Sequence, residues 1–381
     1  MEFDLTEEQK MLQSTLHDFA TSELEPVASR IDKTGDFPAA EIRKIAELGL
    51  FGLTIPEKYG GSGRGKVDLC IAVEELARAS AAIDDYLRVS LSLAIVPIIE
   101  YGTEAQKRKY LPSHARGEKL ACFALTEAGA GSDPSAIQTT AIHRKGGYVI
   151  NGNKLFISIG DKAEIVTMFA TIDKSQLQHG ITAFVIDKDN PGLSVGKYED
   201  KMGLHGFAST ELIFKDCFVP EDNRLGEEGQ GLKIALDALD VSRITVGAEA
   251  VGISRAAFEV ALEYAKERQQ FGEPIANFQA IQWMLADMAT QIDAARLLTY
   301  RAAYLNDQGK PFIKEAAMAK VFASEVAGFV TNKALQIHGG YGYSRDYPLE
   351  RYFRDAKITE IYEGTSEIMR LTIARSLLRK G

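Results

Sequence analysis

Ile165-Val166-Thr167-Met168-Phe169-Ala170 and Ile181-Thr182-Ala183-Phe184-Val185-Ile186 are two short apolar runs rich in β-branched residues, separated by a polar stretch carrying Asp and Gly. That is the pattern of paired strands. Cys122-Phe123-Ala124-Leu125, Gly147-Tyr148-Val149-Ile150 and Glu211-Leu212-Ile213-Phe214 repeat it at the close spacing of a small sandwich or barrel. Outward in both directions the period becomes helical. Towards the N-terminus, Thr6 is suited to cap a helix with Gln9 three residues on, and Met11, Leu12, Leu16 and Phe19 share one face. Breakers at Thr54-Ile55-Pro56 and Tyr59-Gly60-Gly61-Ser62-Gly63 interrupt this block, and helices are expected to resume over 67–79 and 91–101. After Gly229-Gln230-Gly231 four long helical segments follow, over 232–271, 278–307, 314–337 and 365–379. The expected fold is therefore α+β and multidomain: an N-terminal α-helical domain (1–119), a middle β-barrel or sandwich domain (120–228) and a C-terminal four-helix bundle (229–381).

The chain has 381 residues, 45% of them hydrophobic, enough for several cores. Its formal charge of −9 excludes a general nucleic-acid or anionic-membrane partner, both of which need a basic face. No uncharged run reaches the ~20 residues of a membrane span, and the acidic start, Met1-Glu2-Phe3-Asp4, carries no export pattern. Cys70, Cys122 and Cys217 are widely spaced and contain no C-x-x-C, so buried thiols in a reducing, cytoplasmic setting are expected. The six histidines lack metal-ligand spacing, and no metal site is expected.

Four stretches carry chemistry. Ile361-Tyr362-Glu363-Gly364-Thr365-Ser366-Glu367-Ile368 places a carboxylate on a glycine turn ahead of an amphipathic helix that Thr365 or Ser366 could cap. In a mostly apolar cavity, Glu363 would have its pKa raised towards neutrality, as a base for a carbon-bound proton requires; the same octapeptide also reads as an ordinary turn with a solvated glutamate. Leu125-Thr126-Glu127-Ala128-Gly129-Ala130-Gly131-Ser132-Asp133-Pro134 leaves a strand with small residues and hydroxyls suited to a flat or phosphorylated ligand. Glu267-Arg268-Gln269-Gln270-Phe271-Gly272 sets an arginine at a helix end, either complementing the helix dipole or forking onto a pyrophosphate. Gln336-Ile337-His338-Gly339-Gly340-Tyr341-Gly342-Tyr343 ends a helix on glycines. Other motifs fail: Gly60 to Lys66 fits G-x-x-x-x-G-K but Val67 follows it, no G-x-G-x-x-G opens a βαβ unit, and no G-x-S-x-G elbow accompanies His338-Gly339-Gly340.

In this order and in an α, β, α layout, the four stretches resemble the acyl-CoA dehydrogenase flavoproteins along essentially the whole chain, with the short-chain, butyryl-CoA-dehydrogenase-like members in particular. The resemblance implies FAD as cofactor and Glu363 as the base that takes the α-proton of an acyl-CoA while the β-hydrogen leaves as hydride to flavin N5. It implies that Phe123, Leu125, Thr126, Gly131 and Ser132 line the flavin, with Phe156 and Ser158 over its other side, where relatives usually carry Trp and Thr. Arg268, Phe271, Gln279, Gln336, Gly339 and Gly340 resemble residues reaching the FAD of a neighbouring subunit, and Thr365 and Glu367 contacts within one subunit. Ser132, Asp240, Ser242, Arg243, Tyr362 and Gly364 resemble contacts to the CoA thioester arm. A shared cofactor implies a homotetramer, and the implied electron acceptor is an electron-transfer flavoprotein.

Isovaleryl-type relatives carry the base on the helix holding Asp240 to Arg243, a subtype that Ser242 and Glu363 disfavour. The acyl pocket should draw on 81–97. Asp84 stands where glutaryl-CoA relatives carry arginine, Arg88 lies one turn on, and Leu91 replaces a small polar residue of short-chain relatives. Asp84-Asp85 otherwise reads as a solvated pair at a helix N-terminus. The implied activity is dehydrogenation of a short, branched or alicyclic acyl-CoA to the 2-enoyl-CoA. A glutaryl-CoA-type dehydrogenase, an enoyl-CoA reductase and a catalytically silent helical scaffold are the alternatives.

Overall fold

The computed structural model describes residues 4–378, so residues 1–3 and 379–381 at the outer ends of the first and last expected domains lie outside the described residues. Six helices come first: α1 (Glu7–Phe19), α2 (Glu25–Thr34), α3 (Ala39–Glu47), α4 (Lys66–Val89), α5 (Val96–Tyr101) and α6 (Glu104–Ala115). A sheet follows, of β1 (Ala121–Ala124), β2 (Thr140–Arg144), β3 (Gly147–Ser158), β4 (Ile165–Thr171), β5 (Ile181–Asp187), β6 (Leu193–Tyr198), β7 (Ser209–Pro220) and β8 (Arg224–Leu225). The last part is helical again: α7 (Gly231–Glu267), α8 (Gln279–Asp307), α9 (Ile313–His338), α10 (Leu349–Ile358) and α11 (Ser366–Leu378).

Thr6 caps α1 in a reciprocal box with Gln9, satisfying donors that a helix start leaves free. No side chain within α4's own first turn caps that helix. Instead Asp307, from the end of α8, accepts the N–H groups of Lys66 and Val67 at 2.6 and 3.0 Å. The helix expected over 67–79 does not stop there. α4 continues to Val89 with only Ser80 outside helical backbone (φ −162°, ψ 106°), and a wide turn over Ser90–Ala94 leads to α5. Burial explains the difference, because every residue from Asp68 to Val89 is buried and tertiary packing carries the helix past a weak local pattern.

Strands β4 and β5 pair antiparallel from Ile165↔Asp187 to Thr171↔Ile181 and are almost wholly buried, which is why they read as unbroken apolar runs. The strand order is β6-β7-β3-β2-β4-β5-β8, with β1 parallel to β4. β2, β6 and β8, absent from the expected runs, are short; β2 and β6 are also largely solvated, so neither shows a continuous apolar pattern. α10 was likewise not expected; it packs on α9 and α7 beside the four long C-terminal helices.

The helical parts meet where α4 crosses α7. A Cβ at Gly252 of α7 would lie 2.5 Å from the Glu74 carbonyl oxygen, so only glycine permits this approach. Cys70, Cys122 and Cys217 are buried free thiols, as expected. No described helix is long and apolar enough to cross a membrane.

Candidate active site

The octapeptide around Glu363 joins α10 to α11. Tyr362 N–H donates to Ile358 O at 3.1 Å and Ser366 N–H to Glu360 O at 3.0 Å, closing the turn. Of the two candidate caps it is Thr365 whose hydroxyl accepts the Ile368 N–H, at 3.4 Å. Glu363 itself has φ 54°, and Gly364 has φ 109°. A left-handed backbone at a non-glycine residue costs on the order of 1–3 kcal/mol and persists where the surroundings over-determine it. Here two cations do so: Arg243 Nε donates to Glu363 O at 3.1 Å and Lys320 Nζ to Gly364 O at 2.6 Å. The Glu363 N–H has no acceptor among the described residues.

The surroundings of the Glu363 carboxylate are ionic, which corrects the expected apolar cavity. Arg88 Nη1 lies 2.8 Å from Oε1, while Oε2 is buried without a partner among the described residues. The fully buried Arg88 also donates from Nε to Asp85 at 2.7 Å and lies 3.0 Å from Glu249, with its guanidinium 4.8 Å from the Tyr362 ring centre. Tyr362 Oη donates to Glu249 Oε2. Asp84 and Asp85 are therefore no solvated pair at a helix N-terminus; both lie inside α4 with no exposed surface. Their position explains the difference, for this stretch of α4 faces α7 across the helical interface. Burial pushes both carboxyls above their ordinary range, and burial lifts Glu249 to about 8 against the opposing charge of Arg88. Burial lowers Lys320 to about 8, opposed by Glu363.

The 125–134 loop is pinned from behind. Lys154, fully buried, donates to Leu125 O at 2.9 Å and Glu127 Oε1 at 2.7 Å, and Glu127 also accepts the N–H groups of Gln138 and Thr139. Leu125 is buried, Thr126 half-buried, and Gly131 and Ser132 are exposed, with open space where a Gly131 Cβ would stand. Phe123 is half-buried, its ring 4.8 Å from that of Phe169. Phe156 sits where the β3–β7 register breaks, in left-handed backbone (φ 57°), and is 60% exposed; Ser158 is half-buried two residues on. An exposed ring, free hydroxyls and a bare glycine suit a flat ligand.

A second group lies elsewhere. Arg268, Gly339 and Gly340 line an open cleft of about 590 Å³ together with Tyr264, His338 and Tyr341, and none of Phe123, Leu125, Thr126, Gly131, Ser132, Phe156 and Ser158 lines it. Phe271, 93% exposed, Gln279 and Gln336 are on the surface. Thr365 is half-buried and Glu367 exposed. Arg243 pairs with Asp240 and so ties the turn to α7, while Ser242, fully buried, lies 3.2 Å from the Ser92 hydroxyl. Leu91 is buried in the wide turn after α4.

Sequence reasoning missed Glu249, Lys320 and the Lys154–Glu127 pair. A signal existed for the first two: Glu249 is the one charge within 244–254, and Lys320 the one charge in Ala316-Ala317-Met318-Ala319-Lys320-Val321-Phe322-Ala323. A lone charge in a buried helical run needs a partner.

Models of the acyl-CoA dehydrogenase N-terminal, middle and C-terminal domains match residues 6–118, 122–217 and 229–378 in turn. The chain is 52% identical over 382 residues to the acryloyl-CoA reductase (NADH) of Anaerotignum propionicum, covering 100% of this chain and 97% of that protein. The solved butyryl-CoA dehydrogenase of Megasphaera elsdenii superimposes with a TM-score of 0.98 at 47% identity, covering 100% of both chains. A chain solved in work on the electron transferring flavoprotein of Acidaminococcus fermentans and flavin-based electron bifurcation gives a TM-score of 0.98 at 49% identity, again over 100% of both. With three domain models in sequence along it and full-length relatives near half identity, this chain belongs to the acyl-CoA dehydrogenase family, oxidoreductases acting on CH–CH bonds.

Proposed function

We propose that this enzyme dehydrogenates a short, branched or alicyclic acyl-CoA to the 2-enoyl-CoA, with Glu363 as the base. The observation that carries the reading is the pairing, on one left-handed residue, of a buried carboxylate oxygen and a backbone N–H, both without partners among the described residues. Oε2 takes the α-proton, since Oε1 is held by Arg88. An α-proton is too weakly acidic for a carboxylate alone. The Glu363 N–H therefore donates to the thioester oxygen as negative charge develops there, an arrangement worth roughly 3–4 kcal/mol per donor. The chemistry supplied by bound FAD is acceptance of the β-hydrogen as hydride at N5.

Phe123, Leu125, Thr126, Gly131, Ser132, Phe156 and Ser158 hold the flavin ring, and Thr365 and Glu367 contact the same cofactor. Arg268, with Phe271, Gln279, Gln336, Gly339 and Gly340, holds the phosphate and nucleoside end of the FAD of a second subunit. The separation of these groups on one chain supports a homotetramer with shared cofactors. Ser132, Asp240, Ser242, Arg243, Tyr362 and Gly364 flank the CoA arm, and the electron acceptor is an electron-transfer flavoprotein in the cytoplasm. A glutaryl substrate is disfavoured, because Arg88 is already enclosed by Asp85, Glu249 and Glu363 and leaves no free charge for a distal carboxylate.

The test is Glu363→Gln: the protein should still purify yellow but fail to bleach with acyl-CoA, its turnover falling roughly 10²- to 10⁴-fold. Unchanged bleaching removes Glu363 as the base, and a colourless wild-type protein would favour a silent scaffold. A second reading, reduction of an enoyl-CoA, is favoured by the similarity to an acryloyl-CoA reductase. Rates in both directions over a panel of acyl- and enoyl-CoA thioesters separate the two.

A further inference from the structure

The Arg88 guanidinium is shared by carboxylates from three separate segments: Asp85 on its own helix, Glu249 on α7 and Glu363 on the turn. It is completely buried, its Nη1 meets one oxygen of Glu363, and the other oxygen is left without a partner among the described residues. We propose that Arg88 is a positioning residue for the reaction: it fixes Glu363 Oε1 so that Oε2 alone is left to take the α-proton. This rests on the reading of Glu363 as the base.

The assignment follows from the groups around Glu363. From α4 it meets Arg88 and, beyond it, Asp85 and Asp84; from α7, Glu249 and the Arg243–Asp240 pair; from its own turn, Tyr362; and from α9, Lys320, which Glu360 and Glu367 also face. Arg243 and Lys320 bond backbone carbonyls of the turn, so Arg88 is the cation bonded to the carboxylate itself. Glu249 and Asp85 compete for that cation. With burial holding Glu249 as the neutral acid until about 8, the guanidinium is left mainly to Asp85 and Glu363 at neutral pH.

The experiment compares Arg88→Lys, Arg88→Gln and the double variant Arg88→Met with Asp85→Asn, which also removes a carboxylate that loses its cation, each as FAD-loaded enzyme, for flavin content, kcat and KM. Arg88→Lys should keep part of kcat, because an ammonium can still bond one carboxylate oxygen although it lacks the planar fork. Arg88→Gln and the double variant should lower kcat by a further ~10-fold or more with KM and flavin content near wild type, the mark of a misplaced base. The proposal is overturned if these neutral variants keep the wild-type kcat with normal flavin content. It is equally overturned if kcat falls alike in all variants, Arg88→Lys included, since that marks a packing role. A failure of the base reading is told apart by Glu363→Gln, which would then still bleach with substrate.

Discussion

Lys154 and Glu127 form an enclosed ion pair, with Nζ 2.7 Å from Oε1 and no exposed surface on the lysine. Burial lowers Lys154 to about 8 against the pull of Glu127, while Lys154, Thr139 and the Gln138 amide outweigh burial and hold Glu127 below its ordinary range. The pair fixes the base of the loop whose outer face carries Thr126, Gly131 and Ser132.

Lys154→Met should destabilise the protein by roughly 3–5 kcal/mol, the cost of stranding a buried carboxylate, and reduce retained flavin. Urea unfolding checks it, and adding Glu127→Gln should restore part of the loss. No change in the single variant would mean that the amides alone satisfy Glu127.

Gly364→Ala should lower kcat with flavin content intact. The residue has φ 109°, and a Cβ would stand 2.6 Å from Met369 Cε. The methionine can yield, but the backbone strain, on the order of 1–3 kcal/mol, then displaces Glu363. Stopped-flow bleaching is the measurement; a wild-type rate would show that the turn tolerates an L-residue there.

Stability should fall as pH rises from about 4.5 to about 8. Unfolded Glu249 releases its proton near its ordinary 4.5, whereas the folded residue keeps it to about 8, so across that window the native state binds more protons than the unfolded one. Glu249→Gln should flatten this part of the melting-temperature profile. An equally steep decline in the variant would assign the effect to other groups.

Arg268→Ala should weaken retention of FAD roughly 10- to 100-fold, the loss of charge-assisted bonds worth roughly 1.5–3 kcal/mol. The flavin-to-protein ratio after gel filtration reports it, and unaltered retention would confine Arg268 to capping the end of α7.

Much of this molecule is legible in its order of residues. The α, β, α layout follows from periodicity, because the alternation from helical to strand spacing is a local property: Leu16 on one face of α1 and the apolar runs of β4 and β5 announce themselves. The Glu363 turn was marked by its glycine and by the helix it precedes. Two strands that stay largely in water, β2 and β6, left no such pattern.

What sequence by itself determined, then, was the family-bearing set of stretches and the identity of the carboxylate on the last turn. The tertiary structure alone decided what that carboxylate faces. Arg88 and Glu363 are 275 positions apart, and whether Asp84 and Asp85 are solvated or sealed depends on the crossing of α4 and α7 at Gly252. The ionisation of a buried group is set by neighbours that the fold brings within a few ångströms, and no local pattern carries that information.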